Sequence, residues 1–212
     1  MTTFTGPEGI QEAFAVSREA VERLQQYVDL LVRWNRSINL VANADPAHVW
    51  HRHIADSLQL TRYIDSGETI IDLGSGGGLP GIPLAITRAD KAKVYLVESN
   101  HKKAAFLTQA ARITGSPAMV IPKRIEQIDL DALPRPPQVV TARALAPLTL
   151  LLEYASPILA QGARAVFLKG QDVESELTEA AKSWRIDAVV QTSLVDDSGS
   201  VVIVRKASRL VD

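Results

Sequence analysis

Thr69-Ile-Ile-Asp-Leu-Gly-Ser-Gly-Gly-Gly-Leu-Pro-Gly-Ile-Pro83 is the stretch on which the reading of this chain turns. An apolar run, Thr69–Leu73, reads as a buried strand ending on Asp72 and Leu73. Five glycines then fall within eight positions, Gly74, Gly76, Gly77, Gly78 and Gly81, and a helix is expected to start near Pro80. Proline is favoured in the first turn of a helix, where its missing N–H costs nothing. Glycines permit positive φ and let a ligand come close to the backbone. The free N–H groups at a helix start favour an anionic ligand group.

The next apolar run, Val94–Val97, ends at Glu98, 24 positions after Gly74. That is one strand–helix–strand unit. An acid placed there accepts hydrogen bonds from both ribose hydroxyls of a nucleoside. Further short runs, Ala118–Ile121, Val139–Ala142 and Ala163–Leu168, read as buried strands, with helical stretches such as Lys102–Ile113 and Leu148–Leu159 between them. This alternation predicts a parallel sheet covered on both faces by helices, a Rossmann-like α/β fold. The ending differs. Ile186–Leu194 and Ser200–Lys206 are strand-like, and only Val195–Gly199 separates them. So short a loop cannot make a parallel crossover, so the mostly parallel sheet should close with an antiparallel last strand.

Before any strand, Ser17–Leu40 has helical periodicity, with Ser17 as N-cap and Val21, Leu24, Val28, Leu31 and Ile38 along one side. A second amphipathic segment covers Pro46–Tyr63. The organisation is therefore read as an N-terminal helical extension, residues 1–66, followed by a sheet domain, residues 67–212. There are no cysteines among the 212 residues, which removes disulfides, thiolate metal sites and cysteine nucleophiles together. No apolar run is as long as a membrane span, and the N-terminus lacks the basic-then-apolar pattern of a signal peptide. The chain is expected in the cytoplasm. A formal net charge of −1 argues against indiscriminate phosphate binding, yet one basic face would suffice for an RNA substrate.

Gly76-x-Gly78-x-x-Gly81 also fits the dinucleotide fingerprint, so an NAD-dependent oxidoreductase is a competing reading. The terminal hairpin and the lack of chain for a separate substrate domain count against it. No Gly-Lys-Ser/Thr follows the glycines, as a phosphate-binding P-loop would require.

Further marks are Trp34-Asn35 with Asn39-Leu40, Arg52-His53 with Asp56-Ser57, Arg124-Ile-Glu126, Ala142-Arg143-Ala144 and Leu168-Lys169-Gly170. With the glycine stretch, they make the chain resemble, over nearly its whole length, the bacterial 16S rRNA (guanine-N7) methyltransferase G family, also called glucose-inhibited division protein B. The resemblance implies a class I methyltransferase sheet with an N-terminal helical extension. It implies S-adenosyl-L-methionine as cofactor and methyl transfer to N7 of a guanine, position 527 of 16S rRNA in the standard rRNA numbering. The family's cofactor contacts carry over to Gly74, Leu79, Ile125, Glu126 and Arg143, with Glu98 at the ribose and Gly76 and Gly78 in the same turn. The family often has a hydroxyl residue where this chain has Val41, which touches only a minor substrate-side or capping bond. A non-catalytic ribosome-assembly factor keeping the cofactor fold is the third alternative.

Guanine N7 carries an in-plane lone pair and no proton, so no general base is expected, only alignment. The strand ending Thr141-Ala-Arg143 is not followed by the Asp/Asn-Pro-Pro-aromatic motif of amine methylases. Arg143 is the candidate positioning residue. Its guanidinium suits a carboxylate, a phosphate or guanine O6, or else a structural ion pair. Lys123, Arg124 and Lys169, with Lys102 and Lys103, fall at strand ends or following loops, where they would form a basic rim for rRNA phosphates. His53 is read as a structural or substrate-side hydrogen-bonding group. Asn39, four positions from Asn35, is read as sharing its helical face, for packing, capping or RNA contact. His48, His51 and His53 have no acidic pair at ligand spacing, so no metal site is expected. Trp34, Trp50 and Phe106 are assigned to the core. Nothing suggests an obligate dimer, and the chain is expected to act as a monomer on 16S rRNA or a small-subunit intermediate.

Overall fold

The computed structural model describes residues 4–88 and 93–210. Seven strands form one sheet in the order β3-β2-β1-β4-β5-β7-β6. They are β1 (Ile70–Leu73), β2 (Val94–Val97), β3 (Ala118–Ile121), β4 (Val139–Arg143), β5 (Arg164–Lys169), β6 (Trp184–Thr192) and β7 (Ser200–Arg209). The first five pair in parallel, with Ile70 beside Val94 on one side and Val139 on the other. β7 runs antiparallel to both β5 and β6 and sits between them. The short Val195–Gly199 connection is responsible, since it can only turn the chain back on itself.

Side chains alternate across the sheet as a two-residue period demands. Ile70, Val94, Leu96 and Val139 join one apolar cluster, and Ile71, Leu73, Tyr95, Val97 and Val140 join the other. The second cluster is covered by α7 (Leu148–Leu159), whose limits match the sequence reading at both ends, together with Val173 and Ala180 of α8 (Val173–Ala180). The first holds α5 (Gly81–Thr87), α6 (His101–Thr114) and the whole N-terminal region. α6 starts where Asn100 Oδ1 accepts from the Lys102 and Lys103 N–H groups, and it stops at Gly115 with φ 57°.

The N-terminal region comprises α1 (Pro7–Phe14), α2 (Arg18–Asn35) and a continuous winding from Pro46 to Arg62. The sequence reading does not anticipate α1, because the stretch opens on Gly and Pro. Ser17 caps α2 as expected, its Oγ accepting from Ala20 N–H at 3.2 Å. The helix does not continue to Leu40. It ends at Asn35, whose Oδ1 accepts from the Leu40 and Val41 N–H groups (2.8 and 3.0 Å) while Nδ2 donates to Val41 O (3.1 Å). Asparagine side chains compete with the helix ladder in this way, and here the competition folds residues 36–41 into a loop. Asn39 is therefore an exposed loop residue and does not share a helical face with Asn35.

The winding that follows is α3 (Pro46–Val49), a π-helical segment over Trp50–Ala55, α4 (Asp56–Leu58) and a 3-10 turn over Gln59–Arg62. It is fastened to the tip of the last hairpin. Arg52 pairs with Asp196, Gln59 Nε2 donates to Ser193 Oγ (3.1 Å), and Leu194 N–H donates to Gln59 Oε1 (3.0 Å). Farther back, Arg164 of β5 bonds Glu68 at 2.5 Å. Trp50 and Phe106 are core, and Trp34 packs against Phe106 with its Nε1 donating to Gln109. No helix among the described residues is long and apolar enough to cross a membrane.

Candidate functional site

The glycine turn leaves β1 at the end of the sheet where the parallel strands finish, which is where such sheets bind ligands. A cavity of about 560 Å³ opens there. Its floor is Gly74–Gly77 and Leu79. One side is Val97, Glu98 and Ser99, continuing to Lys123, Arg124, Ile125 and Glu126 after β3. The other is Arg143, Ala144, Leu145 and Tyr154. Leu40, Val41, Ala42 and His53, all from the N-terminal region, complete the wall.

Each glycine has its own reason. Gly74 has φ 63°, and a Cβ there would stand 2.5 Å from Leu145 Cδ1. Gly76, with φ 55°, donates its N–H to Glu98 Oε2 at 2.9 Å, and a Cβ would meet nothing nearer than 3.8 Å. Gly77 supports the N-terminal region, since Leu40 O would lie 3.3 Å from a Cβ there and Tyr27 Oη donates to Gly77 O at 2.5 Å. Gly78 belongs to the turn but is not part of the cavity wall. Its φ of 87° and its contact with Ile82 and Leu107 make it a packing glycine. Gly81 packs on Leu96 and Asp72. The first turn of α5 is thus buried beneath the turn and does not line the cavity, so its N–H groups are not presented to a ligand there as the sequence suggests.

Glu98 faces the cavity from the end of β2. Asn100 N–H donates to its Oε1 (2.7 Å), as Gly76 N–H does to its Oε2. A carboxylate offers roughly four lone-pair positions, so about one on each oxygen stays free for the two hydroxyls of a ribose. Apolar Leu79, Val97, Ile125 and Leu145 alongside suit a flat base. The cavity therefore fits a nucleoside with a small charged tail. Below the floor, Asp72 is fully buried, accepts from Thr141 Oγ1 at 2.8 Å, and is pushed up to about 7 by burial.

Arg143, at the end of β4, is held from the N-terminal region. Its Nε is 3.1 Å from Asp56 Oδ2 and its Nη2 donates to Arg52 O at 2.8 Å. Burial raises the Asp56 pKa and lowers that of Arg143, and their mutual attraction offsets this only in part. Arg143 makes the structural ion pair that is one of its readings, and its Nη1 is buried without a partner beside the cavity. Ala144 next to it has φ 49°, a left-handed conformation that turns the chain sharply after the strand.

Among residues expected to bind RNA, Lys103, Lys123, Arg124 and His53 line the cavity, and Lys102 and Asn39 do not. Lys169 is not there either, because its Nζ is 2.6 Å from Glu176 Oε2 and donates to Ala146 O, so its charge is already matched inside the protein. His48 and His51 serve packing: the His48 ring stands edge-on to His53 at 5.6 Å, and His51 Nδ1 accepts from Phe4 N–H. Among the described residues no cluster of His, Asp or Glu is placed to hold a metal ion. Sequence reasoning missed Ala42, Leu145 and Tyr154, and it marked Leu40 and Val41 without placing them in the cavity wall. Only the Asn35 side chain that folds the loop back, and the crossing of α7 over the sheet, bring these residues in.

A family model described as GidB, rRNA small subunit methyltransferase G, matches residues 20–202. The ribosomal RNA small subunit methyltransferase G of Gluconobacter oxydans (strain 621H) is 49% identical over 196 residues, covering 92% of this chain and 98% of its own. The protein of the same name from Paramagnetospirillum magneticum (strain ATCC 700264 / AMB-1) is 48% identical over 205 residues, 96% and 97% of the two chains. Among solved structures, an O-methyltransferase from Bacillus cereus in complex with SAH superposes with a TM-score of 0.60 at 13% identity, covering 94% of this chain and 96% of that one. A point mutant of MtNAS in complex with S-adenosylmethionine gives 0.58 at 16% identity, with coverage of 94% and 77%. These two share the overall fold.

Proposed function

The chain belongs to the rRNA small subunit methyltransferase G family, and from that premise we propose that it transfers a methyl group from S-adenosyl-L-methionine to N7 of a guanine in 16S rRNA, at position 527, in the cytoplasm and as a monomer. In this reading residues 67–212 carry the cofactor, and the extension, residues 1–66, supplies the substrate-side wall. The observation that carries it is the Glu98 carboxylate, turned into an open cavity with both oxygens steadied by backbone N–H groups.

Glu98 holds the ribose hydroxyls. The turn Gly74–Gly77 lets the ligand lie against bare backbone, and Leu79 and Ile125 flank the base while Glu126 borders it. The free Nη1 of Arg143 takes the carboxylate of the amino-acid tail. Bound there, the cofactor supplies a methyl group already activated on a sulfonium. The protein removes no proton from N7, which has none. It orients the guanine and keeps the sulfur, carbon and nitrogen in line, and most of the acceleration arises from that positioning. Lys123 and Arg124 at the mouth meet rRNA phosphates, an ionic contact that weakens with salt. The dinucleotide alternative expects a sheet that continues 3-2-1-4-5-6 in parallel, and here β7 is inserted antiparallel.

The test is mass mapping of methylated nucleotides after incubation with small subunits from cells lacking the enzyme. One new N7-methylguanosine at position 527 is expected. A methyl group elsewhere, or none, defeats the reading.

A further inference from the structure

Buried side-chain nitrogens and oxygens ordinarily find hydrogen-bond partners, and one left without a partner is costly. Five such atoms lack a partner among the described residues. Asp72 Oδ2 lies beneath the glycine turn. Arg88 Nε belongs to a guanidinium whose other nitrogens bond the carbonyls of Thr61, Ile64 and Asp65. The other three, Nδ1 and Nε2 of His53 and Nη1 of Arg143, belong to two residues that line the cavity. The functional reading gives Arg143 Nη1 to the cofactor. It leaves both nitrogens of His53 unexplained.

By hydrogen-bond geometry neither ring nitrogen has a partner, and the Arg52 backbone, which favours a proton on the ring, can engage only one of the two. His53 lies in the π-helical segment Trp50–Ala55, a winding found disproportionately at functional sites. Its carbonyl accepts from Ser57 Oγ at 2.6 Å, and the His48 ring supports it from the side. Burial, then the neighbouring Arg143 charge, pushes its pKa down to about 3, so at physiological pH the ring has one N–H and one bare nitrogen.

A bare nitrogen is what the reaction can use. Guanine and adenine both offer an N7 lone pair, so the nucleophile alone does not distinguish them. As the N7 pair forms the new bond to carbon and the carbon–sulfur pair returns to sulfur, the purine gains positive charge and its N1–H becomes more acidic. An acceptor facing N1–H then bonds more strongly in the transition state than before it, which raises turnover more than affinity. We propose that His53 binds the acceptor guanine, its bare ring nitrogen accepting the hydrogen bond from N1–H while N7 faces the methyl donor. The proposal rests on the reading of this cavity as the site of guanine methylation.

The test compares His53→Leu and His53→Gln with the unaltered full chain, using unmethylated small subunits, labelled S-adenosylmethionine and calorimetry of cofactor binding. His53→Leu is expected to lower kcat by about 10- to 100-fold with KM for the subunit and cofactor affinity nearly unchanged. His53→Gln, whose carbonyl accepts a hydrogen bond, should recover most of the loss. Near-normal turnover in His53→Leu overturns the proposal, as does a loss of cofactor affinity that matches the loss of turnover. If the leucine variant does not fold, the glutamine variant decides: retained turnover supports the acceptor role, and a collapse of kcat with cofactor binding intact overturns it. Absence of transfer by the unaltered protein would overturn the functional reading instead, before any variant is compared.

Discussion

The two ends of the cavity are finished to different degrees. At the Glu98 end both carboxylate oxygens already accept backbone N–H groups, and the glycine turn lies against a buried layer of Asp72, Gly81 and Leu96. At the other end Arg143 and His53 leave three buried nitrogens without partners, and the wall is borrowed from the N-terminal region. In the proposed reading the ribose of the cofactor is met by a carboxylate already held in place. At the other end the unpaired groups await two ligands, Arg143 Nη1 the charged tail of the cofactor and His53 the base to be methylated, and those bonds are made only on arrival.

The hardest blow to the finished end is Gly74→Leu. A side chain at φ 63° is strained, and its Cβ drives Leu145 into the space of the ligand. Cofactor affinity should fall on the order of 100-fold or more, about 3 kcal/mol, read by calorimetry on protein shown to be folded by circular dichroism. Normal binding would mean that the turn is not the cradle.

The unfinished end is broken by Arg143→Ala. Sequence reasoning expects turnover to suffer more than stability, but the ion pair changes that balance. Removing the guanidinium leaves the Asp56 carboxylate buried and unmatched, at a cost of about 3 kcal/mol by urea unfolding. The double variant Asp56→Asn/Arg143→Ala should regain most of this stability while turnover stays low. Recovery of turnover with stability would reduce Arg143 to a structural pair.

Asp72 sharpens the contrast through pH. Its folded pKa of about 7 lies above the ordinary 3.8, so its contribution to stability is full below pH 3.8 and is lost as pH rises through 7. Asp72→Asn should flatten that slope, and the wild-type-minus-variant difference between pH 5 and 8.5 should be a few kcal/mol at most. A difference independent of pH would show that burial is not what governs this carboxyl. The smallest effect is expected of Ala144→Gly, which relieves the left-handed alanine beside Arg143 but frees the unfolded chain. A net gain below about 1 kcal/mol should appear in thermal unfolding. A clear loss would mean that the alanine side chain carries packing that outweighs the strain.

Local pattern made much of this legible. β2 and β3 have the limits their apolar runs suggest, and Glu98 is found by its distance from Gly74, because strand–helix–strand units have a characteristic length. The antiparallel β7 follows from a loop too short to cross over. What stayed hidden depends on partners distant in sequence. Lys169 looks like a free cation until α8 brings Glu176 to it, and Asn39 looks helical until Asn35 turns its side chain onto the backbone ahead. The π-winding around His53 leaves no mark in hydrophobic periodicity, since six residues, three of them His51, Arg52 and His53, are too few to register one extra residue per turn.

Because β7 lies between β5 and β6, strand order and order of synthesis disagree at this edge. When β6 emerges from a translating ribosome, β7, its partner among the described strands, does not yet exist. It must wait, with its backbone unpaired, until residues 200–209 follow it out. During that interval the hairpin tip that grips Arg52 and Gln59 is missing too, so the winding that carries His53 stays unfastened until β7 has been made.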